Sequence, residues 1–162
     1  MPGSVVGLHV NPMGGVPKHA VTSLDIMSTG CIGDKQNDRR HHGGPLKAVC
    51  LMERSVMTAL QAAGHPIGPG TTGENILLDG LDDVTLSTGT ELHVGGVHLR
   101  ITGDAPPCKT IRASFVNGAF VSLSHKQQPG ITRWYAEVLK EGTVSLGDLV
   151  HALNEDERVG NL

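Results

Sequence analysis

The sequence predicts a mostly β fold, a barrel carrying one clear helix and a few short ones. Three observations support this. The chain places 22 glycines and 9 prolines in 162 residues, which favours many turns and short elements over long helices. Most apolar runs have strand length and end at turn residues. A single segment, residues 54–63, repeats Val56, Ala59, Leu60 and Ala63 at helical spacing. The length suggests one domain, residues 1–162. Only four aromatics are present (Phe115, Phe120, Trp134, Tyr135), so Val, Leu, Ile, Met and Ala must fill the core.

The elements follow in order. Residues 5–10 read as an apolar strand and 19–27 as a second. A polar loop spans 28–46. Residues 47–53 are short, apolar and bounded by turn signals, as expected of a buried strand. The helix at 54–63 stops at Gly64, and 64–73 is loop. Residues 75–78 form a short strand ending at "DG". Glu91–Val94 and residues 97–102 flank Gly95-Gly96, a two-residue hairpin signal. Residues 119–123 are a candidate strand. The pattern of 131–140 fits helix or strand, and 144–153 adds one more short element.

Charge and composition narrow the function. The formal charge is −3 and no basic tract is present, which argues against nucleic acid as the main partner. No apolar run is long enough for a membrane helix, and no secretory pattern opens the chain. Cys31, Cys50 and Cys108 are too few and too scattered for a disulfide framework or a zinc site. The expected compartment is the cytoplasm.

Two segments stand out chemically. Cys108 sits in "DAPPCKTIR", where two prolines fix the backbone before it and Lys109 and Arg112 follow. Nearby cations favour a thiolate, the form that attacks or binds metal; the alternative is a small buried hydrophobe. Cys50, in "KAVCLM", reads as core, and Cys31, in "STGCIGD", as loop-borne and exposed. The second segment, "RRHHGG", groups Arg39 and Arg40, which can bind phosphate through paired donors. His41 or His42 can donate a proton, and Gly43-Gly44 lets backbone approach a ligand. A solvated turn is the alternative. A third, weaker signal is "TTGENILLDG": Glu74 is an acid–base candidate or a cap for local donors, and Asn75 suits a turn.

In order, "GDKQNDRRHHGGPLKAVC", "GENILLDGL", "PPCKTI" and "RWYAEVLKEGTVSLGD" resemble the MOSC domain family, named for the C-terminal domain of molybdenum cofactor sulfurase. The likeness runs from about residue 4 to 151 and is greatest to stand-alone bacterial members, without a pyridoxal phosphate domain. It implies a closed, pyruvate-kinase-barrel-like β-barrel with short helices, and makes 134–140 a strand. It also implies the molybdenum cofactor (molybdopterin), with Cys108 as molybdenum ligand in the reductase branch or as sulfur carrier in the sulfurase branch. Arg39, Arg40, His42, Gly43 and Gly44 would then hold the cofactor's anionic end. Lys109 and Arg112 would help from the Cys108 side, with Glu74 and Asn75 as further candidates. The chain shows no N-terminal β-barrel extension of the kind longer MOSC reductases carry, so either the cofactor lies more open or a homodimer covers it.

The leading expectation is an oxidoreductase acting on N-hydroxylated compounds. The alternatives are a sulfurtransferase accessory with a Cys108 persulfide and a cofactor-storage module. The chain has no Fe–S, flavin or nicotinamide motif, so a reductase needs an electron-donating partner, and a sulfur carrier needs a sulfur donor protein.

Overall fold

Alternating burial along glycine-bounded runs builds the fold. The computed structural model describes residues 2–35 and 44–153. Arg39, Arg40, His41, His42 and Gly43 therefore lie outside the described residues. The strands are β1 (Gly3–Val10), β2 (His19–Ala20), β3 (Ser23–Met27), β4 (Gly30–Cys31), β5 (Val49–Glu53), β6 (Ile76–Asp79), β7 (Glu91–Val94), β8 (Val97–Ala105), β9 (Arg133–Lys140), β10 (Gly142–Ser145) and β11 (Leu149–Ala152). The helix α1 spans Arg54–Ala62.

Strands pair in the order β11-β7-β8-β9-β5-β6-β1, and β11 pairs again with β1, which closes a barrel of seven strands. β5 and β6 run parallel. A parallel pair needs a long crossover, and α1 lies within it. β2 extends the sheet beside β1, and β10-β3-β4 form a separate small sheet.

The period-two pattern of the strands fills the barrel. Val97, Leu99 and Ile101 of β8 join Leu92 and Val94 of β7, Val49 and Leu51 of β5 and Ile76 and Leu78 of β6 in one buried cluster. Their strand neighbours Met52 and Leu77 belong to a second cluster with Val56, Met57 and Leu60 of α1. Ile111, Phe115 and Leu123 pack into that cluster too, so the chain beyond Cys108 is anchored on the helix side of the wall. Each such side chain contributes about 1.5–3 kcal/mol on full burial. The helix ends with Ala63 N–H donating to Ala59 and Leu60 carbonyls and Gly64 at φ +96°, the left-handed geometry that glycine adopts freely.

The ambiguous segment 131–140 holds the strand β9, Arg133–Lys140. Four expectations need correction. Residues 19–27 are two strands: Val21 N–H donates to Leu8 while the Thr22 carbonyl accepts from Leu146, so the chain changes sheets there. Residues 119–123 are not a strand; Phe120–Ser122 form a 3-10 turn, with Ser122 and Leu123 amides donating to Ala119 and Phe120 carbonyls. The seven-strand ring is already closed and gives this segment no ladder to join. Residues 144–153 divide into β10 and β11 at Gly147, where Asp148 Oδ2 accepts from Ser145 N–H at 2.8 Å. Cys31 is buried, not exposed, because its pairing with Ile26 turns it into the core.

Candidate functional site

Cys108 follows β8 directly, after Pro106 and Pro107, and caps a 3-10 run over Lys109–Ser114. It is half-buried, whereas Cys31 and Cys50 are buried. Its Sγ lies 2.7 Å from Thr110 Oγ1, an O–H that can donate to the sulfur or accept from it. Lys109 and Arg112 are exposed on the same run. The Arg112 guanidinium donates to the Lys109 carbonyl at 3.5 Å.

Arg133 fixes the position of this segment. It opens β9 and is 4% exposed. One terminal nitrogen donates to the Thr72 carbonyl at 2.6 Å, and the other faces the Ala105 and Pro106 carbonyls at 3.3 and 3.1 Å. Its Nε is buried without a hydrogen-bond partner among the described residues. A guanidinium holds its donors in one plane, so Arg133 ties the chain entering Cys108 to the loop carrying Glu74. Ser114 adds a longer contact, its Oγ 3.5 Å from the Thr71 carbonyl.

Glu74 and Asn75 are buried and fully engaged in that loop. Glu74 accepts from Gly70 N–H at 2.6 Å and Thr72 O–H at 3.1 Å, with His9 Nδ1 at 3.8 Å. Gly70 is at φ +81°, and a Cβ there would sit 2.3 Å from the Lys18 carbonyl oxygen, so only glycine fits. Asn75 bonds the Cys50 N–H through Oδ1 at 3.0 Å, and its Nδ2 donates to the His9 carbonyl and to Asp34 Oδ2 at 3.2 and 2.9 Å. Asp34 also accepts from buried Lys18 Nζ at 2.7 Å and from Asn11 N–H at 2.9 Å. These contacts anchor the chain just before residues 36–43. After them, Gly44 is exposed at φ +82° and Pro45–Lys47 form a 3-10 turn. The Lys47 ammonium stands 5.3 Å from the Tyr135 ring centre. A cavity of about 260 Å³ opens here, lined by Thr29, Gly30, Cys31, Ile32, Gly33, Asp34, Lys47 and Ala48.

Electrostatics separate the three cysteines. Burial, with help from Asp34, pushes the Cys31 thiol up to about 12. Burial also raises Cys50, against a partly opposing field from Arg133. Both are held neutral as thiols near pH 7.

The structure thus links two of the marked segments, the "GEN" loop and the "PPC" segment, through the Arg133 side chain of β9. It also joins the "GEN" loop to Asp34, which precedes the "RRHHGG" stretch in the sequence. Sequence reading missed Arg133, Asp34, Lys18 and His9. The one available signal was a charge at the head of the otherwise apolar run "RWYA".

A family profile described as the MOSC domain matches residues 38–151. The chain belongs to the MOSC domain family. It is 29% identical over 127 residues to the uncharacterized protein YflK of Bacillus subtilis (strain 168), covering 78% of this chain and 57% of YflK. The chain therefore spans little more than half of that relative. Among solved structures it resembles YiiM from Escherichia coli (TM-score 0.69, 20% identity, 96% of this chain and 71% of that one). It also resembles the YuaD protein of Bacillus subtilis (TM-score 0.71, 21% identity, 95% and 98%). At these identities the likeness shows the barrel fold. Among the described residues of this MOSC protein, no helix is long and apolar enough to cross a membrane.

Proposed function

We propose that this MOSC protein binds a molybdenum cofactor through Cys108 and reduces N-hydroxylated compounds with electrons from a partner reductase. The observation that carries this reading is the half-exposed Cys108 on a segment clamped by buried Arg133.

The residues fit such a group. A thiolate is a soft ligand suited to a transition metal, and Cys108 is the accessible thiol among the described residues, while Cys31 and Cys50 are buried. Lys109 and Arg112 stand exposed beside it and would hold anionic oxygens. Arg39, Arg40, His42, Gly43 and Gly44 would take the phosphate end. Glu74 and Asn75 serve from behind, shaping the loop that Arg133 binds. When bound, the cofactor supplies a metal centre able to take an oxygen atom from an N–O bond. The chain's own part is to orient that centre through Cys108 and to keep the Cys108 backbone from shifting.

The test is molybdenum analysis of protein made in a host that synthesises the cofactor. Wild type is expected to carry molybdenum and Cys108→Ser to lose it. Retention of the metal by Cys108→Ser would sink the assignment. A Cys108 persulfide in metal-free wild type, seen by intact mass, would establish the sulfur-carrier reading instead.

A further inference from the structure

Acidic residues are unevenly placed along the chain. No Asp or Glu occurs between Glu53 and Glu74, nor between Asp104 and Glu137. All 16 acidic residues lie outside these two stretches, which hold five of the 13 Lys and Arg. The fold packs the two stretches together. Val56, Met57 and Leu60 of α1 share a buried cluster with Ile111, Phe115 and Leu123. His65, just past α1, accepts from Val116 N–H at 3.1 Å through Nδ1, and its ring meets Phe115 edge-on with 5.3 Å between centres. Glu74, which closes the first stretch, is fully buried. A chain of net charge −3 thus carries a region built from segments without carboxylates.

Beyond Cys108 the chain runs through three short 3-10 turns, Lys109–Ser114, Val116–Gly118 and Phe120–Ser122. Ile111, Phe115 and Leu123 anchor the inner side. The outer side exposes Lys109, Arg112, Val116, Ala119 and Val121, with Val116 45% and Val121 53% exposed. Lys126 is exposed in the turn that follows. Of the five cations, Arg133 is buried and Arg54 lies 3.8 Å from Asp79. Among the described residues, no carboxylate forms an ion pair with Lys109, Arg112 or Lys126. A single exposed valine is ordinary on a protein surface. Here two of them lie between cations, on an anchored segment that begins at the cysteine assigned to the cofactor.

We propose that the outer side of residues 109–126 docks an acidic electron-carrying protein. This rests on the reading above, in which electrons reach the Cys108 cofactor from a partner reductase. Charge complementarity decides the occupant. A second copy docked face to face would set Lys109, Arg112 and Lys126 against their own equivalents. An anionic membrane is held by clusters of about 4–8 Lys and Arg, more than this face offers. An acidic protein meets the cations with carboxylates at its rim and covers Val116 and Val121 at the centre, the usual anatomy of a protein interface. Contacts of electron carriers are small, under about 1,200 Å² of total buried surface, and short-lived. Charge steers their association, so salt weakens it.

The experiment is an NMR titration of the isotope-labelled full chain with oxidised bacterial flavodoxin, an acidic flavin carrier, with basic cytochrome c as the control. Flavodoxin should shift the amides of residues 109–126, and binding should weaken about tenfold or more between roughly 20 and 200 mM salt. Cytochrome c should leave those amides in place. The Val116→Asp/Lys126→Glu double variant should bind flavodoxin about tenfold more weakly and keep the wild-type molybdenum content, since neither residue is assigned to the cofactor. If that variant misfolds, the shifts in the unmodified chain carry the test. Docking is read without molybdenum, so its failure leaves the cofactor reading standing, and a molybdenum-free protein still reports docking. No shifts up to millimolar flavodoxin, shifts confined to other residues, or equal binding of cytochrome c would each overturn the proposal. So would undiminished binding by the double variant, or the same amides shifting when the chain alone is concentrated or is mixed with phosphatidylserine vesicles.

Discussion

At the scale of single residues, the three cysteines show how position decides chemistry. Cys108 is half-buried beside Thr110, whereas Cys31 and Cys50 are buried and held as thiols. Only a thiolate that reagent can reach reacts. Iodoacetamide should label Cys108 roughly 10²-fold or more faster than the other two under native conditions. Peptide mapping after timed quenching reads this, and labelling of Cys50 at the same rate would contradict it. Cys108→Ser should change stability by no more than about 0.5 kcal/mol, as for other lightly packed positions. The sequence marked Cys108 through its prolines and cations, and Cys50 through its apolar neighbours. Cys31 was not legible, because "STGCIGD" has the composition of a loop. Its burial depends on pairing with Ile26, a contact set by the fold and not by neighbours in the chain.

Among elements, strands with strict alternation or a marked turn were legible. The hairpin of β7 and β8 follows from Gly95-Gly96, and α1 from its apolar spacing. Phe120–Ser122 was not, since a short apolar run becomes a strand only where an unpaired edge awaits it. Arg133 escaped notice for a related reason: a charge at a strand end normally faces water, but here it closes three carbonyls from two other segments. Arg133→Met should leave those carbonyls without their donors, at a cost of about 2–4 kcal/mol. The same change should loosen the segment around Cys108. Denaturant melts report the first effect, and hydrogen exchange over residues 105–110 reports the second. If Arg133→Met destabilises the protein while exchange in that segment keeps its wild-type protection, the clamp is not what holds Cys108.

For the whole molecule, the antiparallel β1–β6 ladder sets the end of β1 against the start of β6 and buries a polar seam there. His9 N–H donates to the Asn75 carbonyl at 2.9 Å, and the His9 ring faces Glu74 within the seam. None of this was legible, because His9 lies in the apolar run "VVGLHV" and its partners are some 65 residues away. Burial lowers the His9 imidazole below its ordinary 6.5, the Glu74 carboxylate pulls it back, and Lys18 adds a smaller lowering. Burial is the largest of these, so the native state resists protonation. The unfolded chain takes up this proton from about pH 6.5 downward while the folded chain does not. His9 therefore contributes stability that is present above that value and lost as pH falls through the window. Glu53, raised by burial and by Asp82, acts with the opposite sign in the range just above 4.5, where the folded state protonates first. A single proton limits the His9 slope to about 1.4 kcal/mol per pH unit. Urea melts of wild type and His9→Gln between pH 7.5 and 5.5 isolate it, since the other titrating groups are common to both. The wild-type curve should fall more steeply with decreasing pH, whatever the offset between the two proteins. Parallel curves would show that the His9 imidazole titrates alike in the folded and unfolded chains and that the seam carries no proton-linked stability.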